Sequence, residues 1–310
     1  MPSEQNSESP LVSVVIPTYN RADVLPRAIR SVIRQTFTDF ELIIIDDGSQ
    51  DRTREVVKEF TDPRIRYIRQ ENQGANAARN HGIRKAKGRY ISFLDSDDEF
   101  HENNLQRVIE TLENHGSNCI GAYTSYRRLR DGEVTHISSA DKRKVTFDDI
   151  RKENTIGGFS AITFRASVFQ KVGYLDEQLQ SAQDYDIYLR SLQEGGYIIG
   201  IAEVLADQHL DEHRISDDIK KKKKGLGRII EKHEETLAPS RIADQHYMIG
   251  FLHAENKDLG LARREFWKAI RTYPYNPFYY YHLLFSFAGL WAFKKSLDFK
   301  KSIKVYLKGS

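Results

Sequence analysis

The stretch LVSVVIPTYNRADVLPRAIRSVIRQTFTDFELIIIDDGSQD, residues 11–51, decides the fold. Residues 11–17 form an apolar, β-branched run without alternation, as a strand covered on both faces requires, and the run stops at Pro17. From Ala22 to Arg34 the apolar residues Val24, Leu25, Ala28, Ile29, Val32 and Ile33 recur at helical spacing. ELIIID is a second buried strand and ends in the turn-rich DDGSQD. Strand, amphipathic helix and strand in this order predict a crossover unit with parallel pairing.

The pattern repeats downstream. Asp51–Phe60 reads as a helix, RIRYIR as a shorter strand, Gly74–Ala86 as a helix, and RYISFLD as a strand running into DSDDEF. Ile120–Tyr126 and Tyr197–Ile201 are further strand candidates, and Gln183–Leu192 is a helix stopped by Gly195-Gly196. After Ser216 the chain turns charged and helical, which puts a boundary near Asp217. The expected fold is α/β, a mostly parallel sheet flanked by helices, followed by an all-helical extension. The expected organisation is a tail over 1–10, a main domain over 11–216 and a helical region over 217–310.

Parallel sheets bind ligands beyond the carboxyl ends of their strands. Three polar clusters fall there: Pro17-Thr18-Tyr19-Asn20, Asp46-Asp47-Gly48-Ser49 and Asp95-Ser96-Asp97-Asp98. Paired carboxylates such as Asp95 and Asp97 suit a hard divalent cation, Mg2+ or Mn2+, bridged to substrate phosphates. The same turn can instead cap the following helix through Asp97 or Asp98. A carboxylate of the second cluster can accept a nucleobase N–H, or simply shape a turn; the Tyr19 ring can stack on a base, or simply pack.

Bulk properties narrow the class. With 310 residues, 39% hydrophobic and 29% charged, the chain is an ordinary globular sequence. A net charge of +3 is small for a general nucleic-acid binder, so that partner is not expected. The one cysteine, Cys119, excludes a disulfide within the chain and any Cys-based metal site. MPSEQNSESP lacks the basic and apolar regions of a signal peptide, and no uncharged apolar run reaches the ~20 residues of a membrane span. A cytoplasmic placement is expected.

Residues 11–100, with all three clusters in order and spacing, resemble the N-terminal half of glycosyltransferase family 2. The resemblance implies the GT-A fold and inverting transfer from a nucleotide-diphosphate sugar, a UDP-sugar first, to a saccharide or lipid-linked acceptor. The nucleotide-sugar half would be 11–100 and the acceptor half 101–216. It further implies that Pro17, Tyr19, Asn20, Asp47, Arg79, Asp95 and Ser96 hold the donor, with Tyr19 and Asp47 at the base. Asp97 and Asp95 would hold Mn2+ or Mg2+. In QDYDIYLR, Asp184 falls at the family's catalytic-base position, with Asp186 as the alternative; Gln183 stands where the family has Glu. Asp184 also suits a helix N-terminus through its charge alone. QHLDEHRIS resembles the segment that closes the donor site, implying His213 and Arg214 at the pyrophosphate, where a solvated turn is the other reading.

The rest of the chain lies outside the resemblance. KKKKK at 220–224 is a solvated helix face or a contact for anionic lipid. Residues 247–277 resemble one tetratricopeptide unit, with Gly250, Ala262, Phe266 and Ala269 in fitting positions; one unit cannot bury its own face. NPFYYYHLLFSFAGLWAFKK is either a helix packed inside this region or an interfacial helix that makes peripheral membrane contact. Two other functions compete. A nucleotidyltransferase would carry a Gly-rich loop after the first strand, and PTYNRAD has none; a degenerate scaffold would have lost the carboxylates that this chain keeps.

Overall fold

The computed structural model describes residues 9–141, 144–210, 219–293 and 295. The first strands are β1 (Val12–Thr18), β2 (Phe40–Asp46), β3 (Ile65–Arg69) and β4 (Tyr90–Phe93). They pair in parallel in the order β3-β2-β1-β4, with Val12 opposite Phe40 on one side and Tyr90 on the other. Every residue of β1, β2 and β4 is buried, which explains their uninterrupted apolar character.

Helices α1 (Leu25–Ile33), α2 (Thr53–Lys58) and α3 (Ala75–Lys85) make the crossovers. Leu25, Ala28, Ile29 and Val32 form the buried stripe of α1. Helix α3 approaches β1 so closely that a Cβ at Gly82 would lie 2.3 Å from Val15 Cγ1. Glycine is required there, and the close approach fixes the height of α3 over the sheet.

Beyond β4 come β5 (Glu99–Phe100), α4 (Asn104–Glu113), β6 (Cys119–Arg130), β7 (Glu133–Ser138), β8 (Lys144–Val145) and α5 (Phe147–Ile150). A 3-10 turn (Phe159–Ala161), β9 (Ile162–Arg165), α6 (Ser167–Val172), α7 (Gln183–Gln193) and β10 (Tyr197–His209) follow. The sheet continues β4-β9-β6-β10-β5, with β9 antiparallel between β4 and β6. Strands β6 and β10 run well past the stretches expected from apolar runs. Their extensions are polar because Arg127 and Asp207 face each other across the pair and form a salt bridge, Nε to Oδ1 at 2.7 Å.

The chain divides into two compact units, one of residues 1–150, 154–179 and 183–214, the other of 151–153, 180–182 and 215–310. The second unit holds α8 (Ile219–His233), α9 (Pro239–Glu255), α10 (Leu259–Thr272) and α11 (Pro277–Phe287). Its core is Tyr247, Phe266, Tyr279, Leu283 and Phe293 with the small Ala243, Ala262 and Ala269. A Cβ at Gly250 would meet the Phe266 ring at 2.6 Å, so α9 and α10 touch at that point. Among the described residues, no helix is long and apolar enough to cross a membrane.

Candidate active site

Strands β2, β1 and β4 are parallel neighbours, so the three polar clusters that follow them lie on one edge of the sheet. Pro17 is buried within β1, and Tyr19 beyond it is 44% exposed. The backbone turns at Asn20, with φ of 50°, a conformation Asn tolerates. Asn20 N–H donates to Ser49 Oγ (2.9 Å) and its Oδ1 accepts from Gln50 N–H (2.7 Å), which stitches the first cluster to the second.

Asp47 is nearly inaccessible, at 3%. Its carboxylate accepts from Gln70 Nε2 (2.7 Å), Gln73 N–H (3.0 Å) and Gly74 N–H (2.7 Å). It therefore shapes the loop that enters α3, where Gly74 takes a φ of +96°. A carboxylate offers about four acceptor positions, so room for one further N–H remains.

Helix α3 carries Arg79 into the third cluster. Arg79 is 6% exposed, and its guanidinium lies 4.4 Å from the centre of the Phe159 ring and forms a salt bridge with Asp95 through Nη2. Its Nε and Nη1 are buried without a partner. Two unmatched donors on a buried cation beside Asp95 favour an anionic ligand at that place.

The Asp95-Ser96-Asp97-Asp98 turn is closed by Asp98 N–H on the Asp95 carbonyl (3.0 Å). Asp98 is 2% exposed, accepting from Ser160 Oγ (2.6 Å) and His209 N–H (3.2 Å). It caps no helix: α4 begins at Asn104, behind Asn103. The capping reading of this turn is thus corrected. Ser96 is buried, and Asp97 is half-buried, with its carbonyl accepting from Arg27.

Asp184 lies in the first turn of α7. Burial pushes its pKa up to about 6; the Tyr185 N–H and Arg79 pull it down, and the charge of Asp95 adds to the rise. Asp184, Arg79 and Asp95 therefore share one electrostatic neighbourhood. Tyr188, one turn along α7, is raised by burial and then by Asp184, and its hydroxyl donates to the Gly157 carbonyl (3.2 Å). Two asparagines of α3 hold the approach to α7. Asn80 exchanges hydrogen bonds with the Leu175 backbone at 2.9 Å each way, and Asn76 donates to the Asp176 carbonyl at 2.7 Å. Asp186, the alternative base, is fully buried and paired with Arg190 (2.9 Å), which removes it from that role. His213 and Arg214 lie outside the described residues.

Residues 13–173 match the glycosyl transferase family 2 profile, more than half of the chain. The chain belongs to glycosyl transferase family 2. A relative, the "Putative teichuronic acid biosynthesis glycosyltransferase TuaG" of Bacillus subtilis (strain 168), is 32% identical over 214 residues, 67% of this chain and 82% of its own. Among solved structures, S. aureus TarS 1–349 in complex with UDP-GlcNAc superposes with a TM-score of 0.63 at 18% identity, covering 84% of this chain and 82% of that one. The mannosyltransferase PcManGT from Pyrobaculum calidifontis, in complex with GDP-Man and Mn2+, gives 0.60 at 17% identity, with 86% and 74% covered. The transferase has the GT-A fold that these neighbours share.

Among the described residues of the transferase, no three His, Cys, Asp or Glu side chains converge as metal ligands. Asp95 and Asp97 offer two carboxylates at most. That donor set fits Mg2+ or Mn2+, which takes one or two carboxylates and completes its shell with water and substrate phosphates. It does not fit a closed structural site.

Ser160, Phe159 and Tyr188 were not among the residues singled out from sequence. Each reaches the site from more than 60 residues beyond the nearest strand-end cluster. Only Gly157-Gly158 ahead of Phe159-Ser160 hinted at a special backbone there.

Proposed function

We propose that this family 2 transferase catalyses inverting, metal-dependent transfer of a sugar from a nucleotide diphosphate, UDP in the first instance, to a saccharide or lipid-linked acceptor in glycan biosynthesis. The observation that carries the reading is the neighbourhood of Arg79, Asp95 and Asp184 at the edge where β1, β2 and β4 end. UDP-GlcNAc bound to TarS, GDP-Man and Mn2+ bound to PcManGT, and the teichuronic acid assignment of TuaG support the same class of donor, metal and product.

In this reading Asp184 takes the proton of the acceptor hydroxyl as that oxygen attacks the anomeric carbon. The bond from the anomeric carbon to the diphosphate oxygen breaks on the opposite face, and its electron pair leaves with the nucleoside diphosphate. A pKa near 6 leaves Asp184 mostly ionised at neutral pH while keeping it a competent base. Arg79 meets the charge that grows on the diphosphate with its two unmatched nitrogens, in a buried setting where such contacts are strong. Asp47 offers its remaining acceptor position to a base N–H, and Tyr19 its exposed ring to the base face. Pro17, Asn20 and Ser96 line the walls. Asp95 and Asp97 would hold the divalent cation, which supplies further charge neutralisation for the leaving group.

The decisive experiment screens UDP- and GDP-sugars for turnover with Mn2+, with Asp97→Ala as control, and measures UDP binding calorimetrically with and without Mn2+. Binding that ignores the metal and turnover that survives in Asp97→Ala would each sink the reading.

A further inference from the structure

Helix α11 has two faces of similar hydrophobicity and opposite fate. Tyr279, His282, Leu283 and Ser286 are buried in the helical unit. Tyr280, Leu284 and Phe287, at i, i+4 and i+7, are 40%, 68% and 65% exposed. The exposed face continues sideways, because Phe287 borders one shallow depression with Leu261, Arg263, Arg264 and Trp267 of α10 and with Asp258, whose carboxylate caps α10 by accepting from Leu261 N–H at 3.0 Å. Trp267 is 52% exposed, and Trp291, just past Gly289, is 71% exposed. Exposed aromatic and aliphatic side chains gathered in this way mark an interaction site.

The charges around it say what it meets. The sequence from Asp258 to Lys295 carries six basic residues, Arg263, Arg264, Lys268, Arg271, Lys294 and Lys295, and two acidic ones, Asp258 and Glu265. That local excess of four exceeds the net charge of +3 for the whole chain. Glu265 is itself held by His246 and Lys268, both at 2.7 Å. The cations sit against the rings: the Arg263 guanidinium lies 4.9 Å from the Phe287 ring centre, and Lys295 Nζ lies 4.3 Å from that of Trp291. Tryptophan and tyrosine rings bordered by cations, with the two nearby carboxylates engaged in a helix cap and an internal ion pair, are the chemistry of the phospholipid headgroup zone.

We propose that this face of α10 and α11 seats the protein on a membrane surface bearing anionic phospholipid. The rings enter the headgroup–acyl boundary and the cations meet phosphate, each worth about fivefold in affinity. The inference deepens the lipid-linked acceptor reading without depending on the donor chemistry.

The test is vesicle flotation of the full chain with phosphatidylcholine alone and with phosphatidylcholine mixed with phosphatidylglycerol. Wild type should partition to the mixed vesicles and little to the neutral ones. Leu284→Ser/Phe287→Ser/Trp291→Ser should lose about tenfold or more in partitioning. Arg264→Glu/Arg271→Glu should lose binding to the mixed vesicles specifically. Far-UV circular dichroism and donor turnover in solution should stay at wild-type levels in both, so a failed transferase reading and a failed membrane reading give different patterns. Three results overturn the proposal: no partitioning to phosphatidylglycerol, equal partitioning of the serine variant, or a dimer in sedimentation velocity that the serine variant abolishes.

Discussion

The Ser160 hydroxyl accepts from Asp95 N–H at 3.1 Å and donates to the Asp98 carboxylate at 2.6 Å, so one buried side chain holds both ends of the acidic turn. Asp95 and Asp97 lie within that span, and their separation depends on it. Ser160→Ala removes the clamp and leaves a buried carboxylate short of a partner, a cost of about 1–3 kcal/mol. Donor turnover should need more Mn2+ and fall roughly tenfold, as expected when site geometry loosens. An unchanged Mn2+ titration and unchanged KM for the donor would show that the turn does not need Ser160.

Arg79 separates charge from shape. Arg79→Lys keeps the charge but loses the planar fork and its stacking on Phe159. We expect a loss of about 10²-fold in kcat/KM for the donor, the scale of one lost charge-stabilising group. Arg79→Ala has a second signature. Arg79 lowers the pKa of Asp184, so its removal should shift the acid limb of the rate profile to higher pH. An acid limb that stays in place would separate the two residues electrostatically.

Asp184 makes two linked predictions. As a base it works ionised, so transfer should fall as pH drops through about 6. Its folded-state pKa lies above the ordinary carboxylate value of 3.8, so the native state binds more protons between those two pH values and stability decreases as pH rises through that window. Asp184→Asn removes this penalty. The variant should be more stable than wild type at pH 8, by on the order of 1 kcal/mol, with the advantage gone below pH of about 4. Its transfer should fall by at least about 10²-fold. Near-normal transfer in Asp184→Asn would assign the base elsewhere.

The parallel half of the sheet was legible because β1, β2 and β4 are buried on both faces and their sequences leave no other reading. The shared edge of the three clusters followed from topology alone. Contacts made at long range were not legible. Asp98 looks like any acidic turn residue until Ser160 and the His209 N–H, 62 and 111 residues away, close on it. By its residues alone QDYDIYLR offers two carboxylates, Asp184 and Asp186; the full burial of Asp186 against Arg190 on the next turn marks it as the structural one. The ends of β6 and β10 were hidden because a salt bridge across the pair, Arg127 to Asp207, replaces the apolar pattern. Helix α11 is apolar all round, and sequence could not say which face the fold covers.

Asp97 and Asp98 are adjacent carboxylates with opposite expected phenotypes. Asp98 is 2% exposed and tied to Ser160 and His209, so Asp98→Ala strands a hydroxyl and a backbone N–H in the interior. It should cost about 1–3 kcal/mol, visible as a Tm lowered by roughly 2–4 °C per kcal/mol. Asp97 is half-buried, and its carbonyl, which a substitution keeps, makes the contact to Arg27. Asp97→Ala, at a half-buried position, should lower the Tm by less than Asp98→Ala does, yet lose turnover altogether. Chelation of wild type with EDTA should mimic Asp97→Ala, and Mn2+ should restore wild type but not the variant. Differential scanning calorimetry with a Mn2+-dependent UDP release assay reads both axes. If Asp98→Ala keeps its Tm while Asp97→Ala keeps its turnover, the roles of the two carboxylates are reversed and the turn presents its other side to the donor.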